Sequence, residues 1–412
     1  MNSKRLLERF LRYVQIDTTA REGAGQYPSS PGQLELGRML VHELKALGLH
    51  DARQDEHGIV LATVPGNTAG PRPVIAFCAH LDTSPETPGA GVKPQVVESY
   101  PGGDLPLPGD PDQVIRTADN PELEQLFGRT LITSDGATLL GADPKAGVAA
   151  IMEAVAMLVE APRQPRAPVR IVFTCDEEIG RGVDKLDLEE IGAVVCYTLD
   201  GQGADTIDVE TFSADQAVVT VRGVNVHPSI AKGRMTNAVR AAADFLGRLP
   251  RENLSPETTD GRQGFLHPYE IRGGVAEVKL RIILRDFDAA NLDYQAELLR
   301  VAAEATMRQF PRAKIDVDVR KQYRNVAEGL AREPRAVARA EEALRRLGRT
   351  PKRAIVRGGT DGSRLTELGL PTPNLATGQH TPHSPLEWAC LEEMAGAADW
   401  AVSLAEVWGE TE

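Results

Sequence analysis

Apolar residues near the start of the chain recur at helical spacing: Leu6, Leu7, Phe10, Leu11 and Val14 make one stripe. Ser30 and Pro31 supply an N-cap followed by proline at the first helical position, and Gly48 supplies a stop. The spacing therefore predicts a second helix with Leu36, Leu40, Leu44 and Leu47 on its buried face. The period then changes. Continuous β-rich apolar runs at 59–64, 74–79, 169–174 and 194–199 read as strands covered on both faces, with a helix at 145–159 among them. This alternation predicts an α/β fold, a sheet flanked by helices.

From 213 to 325 the rhythm differs: strand 217–222, helix 237–249, strands 268–272 and 275–284, helix 288–308, strand 313–323. That order, β-α-β-β-α-β, is a two-layer α+β unit able to fold alone. Helical signals at 335–347 and 387–407 then flank a strand at 353–356, and the Pro- and Gly-rich stretch 84–130 reads as long loops or a short excursion. The division expected is a catalytic domain of residues 1–212 and 326–412, interrupted by an inserted domain of residues 213–325.

Composition narrows the partners. Lys plus Arg number 46 against 59 Asp plus Glu, a net charge of −13, which argues against nucleic acid or an anionic membrane. No apolar stretch approaches the ~20 residues that span a bilayer. Charges at Lys4, Arg5, Glu8, Arg9 and Arg12 leave no signal-peptide core, so a cytoplasmic location is expected. The cysteines at 78, 175, 196 and 390 show neither metal spacing nor a disulfide framework.

Candidate chemistry gathers where strands end. One predicted strand runs into His80-Leu81-Asp82, another into Cys175-Asp176-Glu177-Glu178, a third into Asp200-Gly201. In open α/β sheets ligands bind at the carboxyl ends of strands, so these groups would share one edge. Asp143 stands just before a helix, and His380 and His383 lie in the loop before the last long helix. Each has a plain structural explanation alone; the cluster carries the signal. Histidine and carboxylate without thiolate suit Zn²⁺, or Mn²⁺ and Co²⁺, in an open site. His80 and Asp82, two apart, would point to the same side, letting Asp82 take the spare imidazole N–H. Adjacent Glu177 and Glu178 point apart, so one could bind metal while its neighbour serves as base, an arrangement for metal-assisted hydrolysis. Dinucleotide, phosphate-loop and serine-nucleophile motifs are missing from the sequence.

The strings HLDTSPE at 80–86, GATLLGADPKAG at 136–147, FTCDEEIG at 173–180, YTLDG at 197–201, NVHPSIAKGRMTNA at 225–238, RGGTDGSRLTELGLPTPNLATG at 357–378 and HSPLEW at 383–388 carry a family resemblance. Over nearly its whole length the chain resembles the peptidase T family of tripeptide aminopeptidases, within the dinuclear-zinc aminoacylase and carboxypeptidase G superfamily. The resemblance implies a zinc-exopeptidase-like catalytic domain, with the inserted α+β domain acting as a lid and dimerisation surface, and so a possible homodimer. It implies two Zn²⁺ per subunit, His80 and Asp200 holding one, Glu178 and His383 the other, and Asp143 bridging. Asp82 would orient His80, and Glu177 would be the general base. His227, Arg285, Asn325 and Arg357 would contact substrate. The implied reaction releases the N-terminal residue of short peptides, with a dipeptidase, carboxypeptidase or N-acyl amino-acid deacylase on the same scaffold as the alternative. The chain departs from the family at Pro144, where an acidic or amide residue is usual, and in GQHTPHSPLEW, which replaces an aromatic and Gly-rich run. A cis peptide is implied between Asp143 and Pro144, where proline makes that isomer inexpensive.

Overall fold

In the computed structural model, which describes residues 1–410, the strands Val169–Thr174, Ile75–His80, Val195–Gln202 and Asn374–His380 lie side by side and parallel, in that order. Val60–Val64 adds antiparallel at one side. Trp388–Cys390, Leu131–Thr133 and Gln95–Val97 extend the other side, each antiparallel to its neighbour. The sheet is mixed. Because strand side chains alternate, Leu61, Ala76, Cys78, Val172 and Cys196 share one face, where they pack with Ile191, Leu365 and Leu370. Helix Ala142–Glu160 packs on three of the parallel strands, backed by helices Ser3–Val14 and Leu391–Gly409. Covering both faces requires apolar residues at successive positions, which is why these strands read as unbroken runs.

The chain divides into two compact units. The first comprises Met1–Val209, Glu328–Ala354 and Thr360–Glu412, the second Glu210–Ala327 and Ile355–Gly359. In the second unit a four-stranded antiparallel sheet has the order Phe265–Gly273, Glu277–Asp286, Ser213–Arg222, Lys314–Tyr323. Helices Ala238–Gly247 and Ala289–Gln309 enclose with it a core that includes Val219, Val221, Phe245, Leu280, Ile282, Leu292 and Leu299. Among the described residues no helix is long and apolar enough to cross a membrane. The four cysteines are buried and free.

Some local expectations change. In Ser3–Val14 the buried face includes Arg9 and Tyr13, while Leu7 and Leu11 are only half-buried. Polar partners explain the exchange: Arg9 Nη1 donates to Met152 O at 3.1 Å and Glu153 at 3.0 Å, and the Tyr13 hydroxyl to Glu43 at 2.9 Å. Leu47 falls at the C-cap of Pro31–Ala46 and is half-buried. His380 ends a strand, Asn374–His380, that apolar patterning does not reveal because Thr377, Gly378 and Gln379 interrupt it. The last helix begins at Leu391, not 387, since Trp388–Cys390 forms a strand against Leu131–Thr133.

One contact limits how the helices seat on the sheet. A Cβ on Gly147 would lie 1.8 Å from the Leu199 carbonyl oxygen, one residue before Asp200. Gly147→Ala should therefore lower unfolding free energy by about 2 kcal/mol or more, through displacement of helix or strand. Urea unfolding of the metal-free protein measures it, and an unchanged midpoint would refute the tight approach.

Candidate metal centre

The carboxyl ends of the parallel strands bring the expected ligands together. His80, Asp143 and Asp200 place one ligand atom each within 4.8 Å of one another, and so do Asp143, Glu178 and His383. Asp143 belongs to both groups. Its Oδ1 lies 3.3 Å from His80 Nε2 and its Oδ2 3.6 Å from His383 Nε2, so its two oxygens face different histidines. The Asp143–Pro144 peptide is cis, and both residues depart from helical φ/ψ at the start of Ala142–Glu160.

Each histidine has a carboxylate behind it. His80 Nδ1 hydrogen-bonds the Asp82 backbone carbonyl at 3.1 Å with Asp82 Oδ1 beside it at 3.3 Å, and His383 Nδ1 lies 3.3 Å from Glu86 Oε2. In each ring the opposite nitrogen points into the cluster, with Glu178 Oε2 2.9 Å from His383 Nε2. This is how a metal-binding imidazole is held in one tautomer and orientation. Asp82 does more. Its two oxygens accept the backbone N–H groups of Glu177 at 3.1 Å and Glu178 at 3.0 Å. One residue thus braces a histidine at one strand end, by its carbonyl and carboxylate, and the turn carrying both glutamates at the next.

That turn is gripped from its other side as well. Asp176 stands in left-handed backbone at φ +63°, and its fully buried carboxylate accepts from Ser29 N at 2.8 Å and Gln33 Nε2 at 2.7 Å. Its own N–H donates to Gln33 Oε1 at 3.0 Å. Gln379 Nε2 donates to Asp200 O at 3.1 Å, steadying the remaining ligand strand. His380 faces away: it stacks on Trp388 with ring centroids 3.7 Å apart and reaches Glu393 at 2.7 Å. Glu387, expected at the start of a helix, instead accepts three backbone N–H groups around Asp143. Sequence reasoning missed Glu86, Gln33 and Glu387. The available signals were a carboxylate closing HLDTSPE and an acid enclosed between Leu386 and Trp388.

The electrostatics describe a centre short of positive charge. Burial pushes Glu177 well above the usual carboxylate range, Glu178 up to about 7 and Asp200 up to about 8, with neighbouring carboxylates adding to each shift. Burial opposes a charged His80 and His383, yet the carboxylates around them win, raising His80 well above 6.5 and His383 to about 11. Asp143 is also disfavoured as an anion by burial, but hydrogen bonds from His383 and His80 hold it below its ordinary value. Glu178 Oε1 is buried with no hydrogen-bond partner. An unpartnered buried carboxylate oxygen among carboxylates and imidazoles, with no thiolate, fits divalent cations of the Zn²⁺, Co²⁺ or Mn²⁺ kind.

With that geometry in hand, comparison with known proteins decides the family. The model of peptidase family M20/M25/M40 matches residues 134–407. The chain belongs to this family. It is 42% identical over 402 residues to peptidase T of Geobacillus thermodenitrificans, covering 98% of each chain. Among solved structures, an aminopeptidase of Bacillus cereus superposes with a TM-score of 0.74 at 26% identity, covering 100% of both chains. A tripeptidase of Staphylococcus aureus gives a TM-score of 0.75 at 25% identity and 99% coverage of each. This M20-family protein is accordingly an enzyme of the metallo-aminopeptidase class.

Four residues expected at the substrate lie in the second unit. His227 is exposed and caps a short helical turn, its Nδ1 accepting from Ser229 N at 3.3 Å. Arg285, Asn325 and Arg357 are half-buried and already engaged within that unit. Arg285 donates to the carbonyls of Asp215 and Leu284. Asn325 accepts from Thr211 N and Ala327 N and donates to Phe287 O. Arg357 donates to Thr259 and Gln263 and lies over the rings of Phe212 and Phe265.

Removing Asp82 should disrupt both halves of the M20 centre at once. Asp82→Ala removes the acceptor of two backbone N–H groups and the carboxylate beside the His80 ring, leaving only the residue-82 carbonyl at His80 Nδ1. Unfolding free energy of the metal-free protein should fall by roughly 2–4 kcal/mol, with Asp82→Asn losing less. Equal stability of Asp82→Ala and wild type in urea titrations would contradict this role.

Proposed function

We propose that the protein is a metal-dependent aminopeptidase of the cytoplasm that removes the N-terminal residue from short peptides, tripeptides foremost. The observation that carries this reading is the pair of ligand groups sharing Asp143, one oxygen toward each histidine. His80 and Asp200 would hold one divalent cation, Glu178 and His383 a second, and Asp143 both. Zn²⁺ suits this donor set, with Co²⁺ or Mn²⁺ as substitutes. When bound, such a pair supplies Lewis acidity to the scissile carbonyl and lowers the pKa of water.

The remaining work falls to the protein. Glu177 belongs to neither ligand group, and its Oε2 lies 3.8 Å from His80 Nε2, so its carboxylate borders the cluster without being required to complete it. As general base it takes the proton of the attacking water and returns it to the departing amine. Asp82 holds Glu177 and Glu178 through their backbone and His80 through its ring. His227, the exposed member of the substrate residues, is assigned to the peptide carbonyl. Arg285, Asn325 and Arg357 are assigned less direct parts in substrate binding, since each also holds its own unit together.

Three measurements test this reading. Glu177→Gln should lose roughly 10²–10⁴-fold in kcat while retaining its metal, as expected for a lost proton carrier. Full turnover in that variant would remove Glu177 from the mechanism. Free tripeptides should be cleaved and N-acetylated ones refused; the reverse preference would make the protein a deacylase on this scaffold. Chelator should abolish turnover, and added Zn²⁺, Co²⁺ or Mn²⁺ should restore it.

A further inference from the structure

Glu387 is 1% exposed and stands four residues after His383. Its Oε2 accepts N–H groups of Leu140 at 2.8 Å and Gly141 at 2.7 Å, and its Oε1 accepts that of Asp143 at 2.9 Å. These donors lie at the entry to Ala142–Glu160, where backbone N–H groups lack helical partners and an anion is favoured. Gly141 takes φ +81°, so the entry is a sharp turn, and Asp143 leaves it in extended backbone.

The segment bearing Glu387 is equally constrained. Thr381 and His383 both adopt positive φ, at 50° and 60°, which side-chain-bearing residues rarely do. The Thr87 hydroxyl donates to His383 O at 2.6 Å, and the Ser134 hydroxyl to Pro385 O at 3.3 Å. A loop in unfavourable backbone is therefore tied down at its start, its middle and, through Glu387, its end. This last tie runs directly to the backbone of Asp143.

We propose that Glu387 is a positioning residue that fixes Asp143 relative to His383, and so sets occupancy of the metal position those two share with Glu178. The proposal rests on the two-metal reading above. A carboxylate suits the task because three donors converge and it has acceptors on both oxygens; a glutamine would turn an NH₂ toward at least one backbone N–H. Asp143 also serves the position of His80 and Asp200, but those two are held independently, by Asp82 and Gln379. Loss of Glu387 should therefore be felt unequally.

Calorimetric titration of metal-free protein with Zn²⁺, together with bound-metal analysis, tests this. Wild type should take up two ions; fewer would overturn the two-metal reading itself. If wild type binds two, Glu387→Gln should keep one affinity within about twofold and weaken the other roughly 10–100-fold, the scale of lost outer-sphere support. Two unchanged affinities would overturn the proposal. So would equal weakening of both, accompanied by equal falls in Tm of metal-free and loaded protein, because that marks a simple helix cap. Should Glu387→Gln lose its near-ultraviolet circular dichroism, Glu387→Asp is read instead, since it keeps the charge on a shorter arm and should show the same selective loss.

Discussion

Asp82, Glu177, Glu178 and Asp200, at the ends of neighbouring strands, converge with Asp143 from a helix start, and most of their surface is buried. That much negative charge in a largely buried cluster is tolerable only when something compensates each anion. Asp82 is compensated by backbone donors and an imidazole. Asp143 leans on two histidines. Glu178 keeps one oxygen with no partner at all. Much of the surrounding architecture keeps these groups from relaxing apart: a buried Asp176 clamped by Ser29 and Gln33, a Gln379 on the Asp200 backbone, a Glu387 beneath the Asp143 loop.

The sheet was legible because its parallel strands are covered on both sides. Runs such as Ile75–His80 and Val169–Thr174 need apolar residues facing both ways, and that leaves an unmistakable pattern. The polar residues directly following them mark the edge where a ligand can bind. Asn374–His380 escaped notice for the opposite reason. It is fully buried, yet Asn374, Thr377 and Gln379 satisfy themselves through Asp208, the Gly201 carbonyl and Asp200, so its burial relies on hydrogen bonds instead of apolar side chains. Arg9 misled in the same way, being buried against Glu153 where apolar spacing favoured Leu7 and Leu11.

The residues of the two candidate metal groups were legible as residue types, most of them at strand ends, but their support was not. Gln33 is 143 positions from Asp176 and Glu387 is 244 from Asp143, and no local pattern links either pair. Such residues look ordinary in sequence because their contribution is a hydrogen bond to a distant backbone group or carboxylate, which leaves no chemical signature of its own. The glutamine and the glutamate are informative only once the fold has brought their distant partners within reach.

His383 has a consequence for how the protein comes into being. Of the residues proposed to hold metal, the earliest is His80 and the latest His383, supplied just beyond Asn374–His380, itself an interior strand of the sheet. A chain emerging from the ribosome in order has most of its ligands long before it has the strand that seats the final one. Until that strand docks between Val195–Gln202 and Trp388–Cys390, Glu178 faces no imidazole. On the proposed ligand set, complete metal capture would report that the C-terminal part of the sheet has closed.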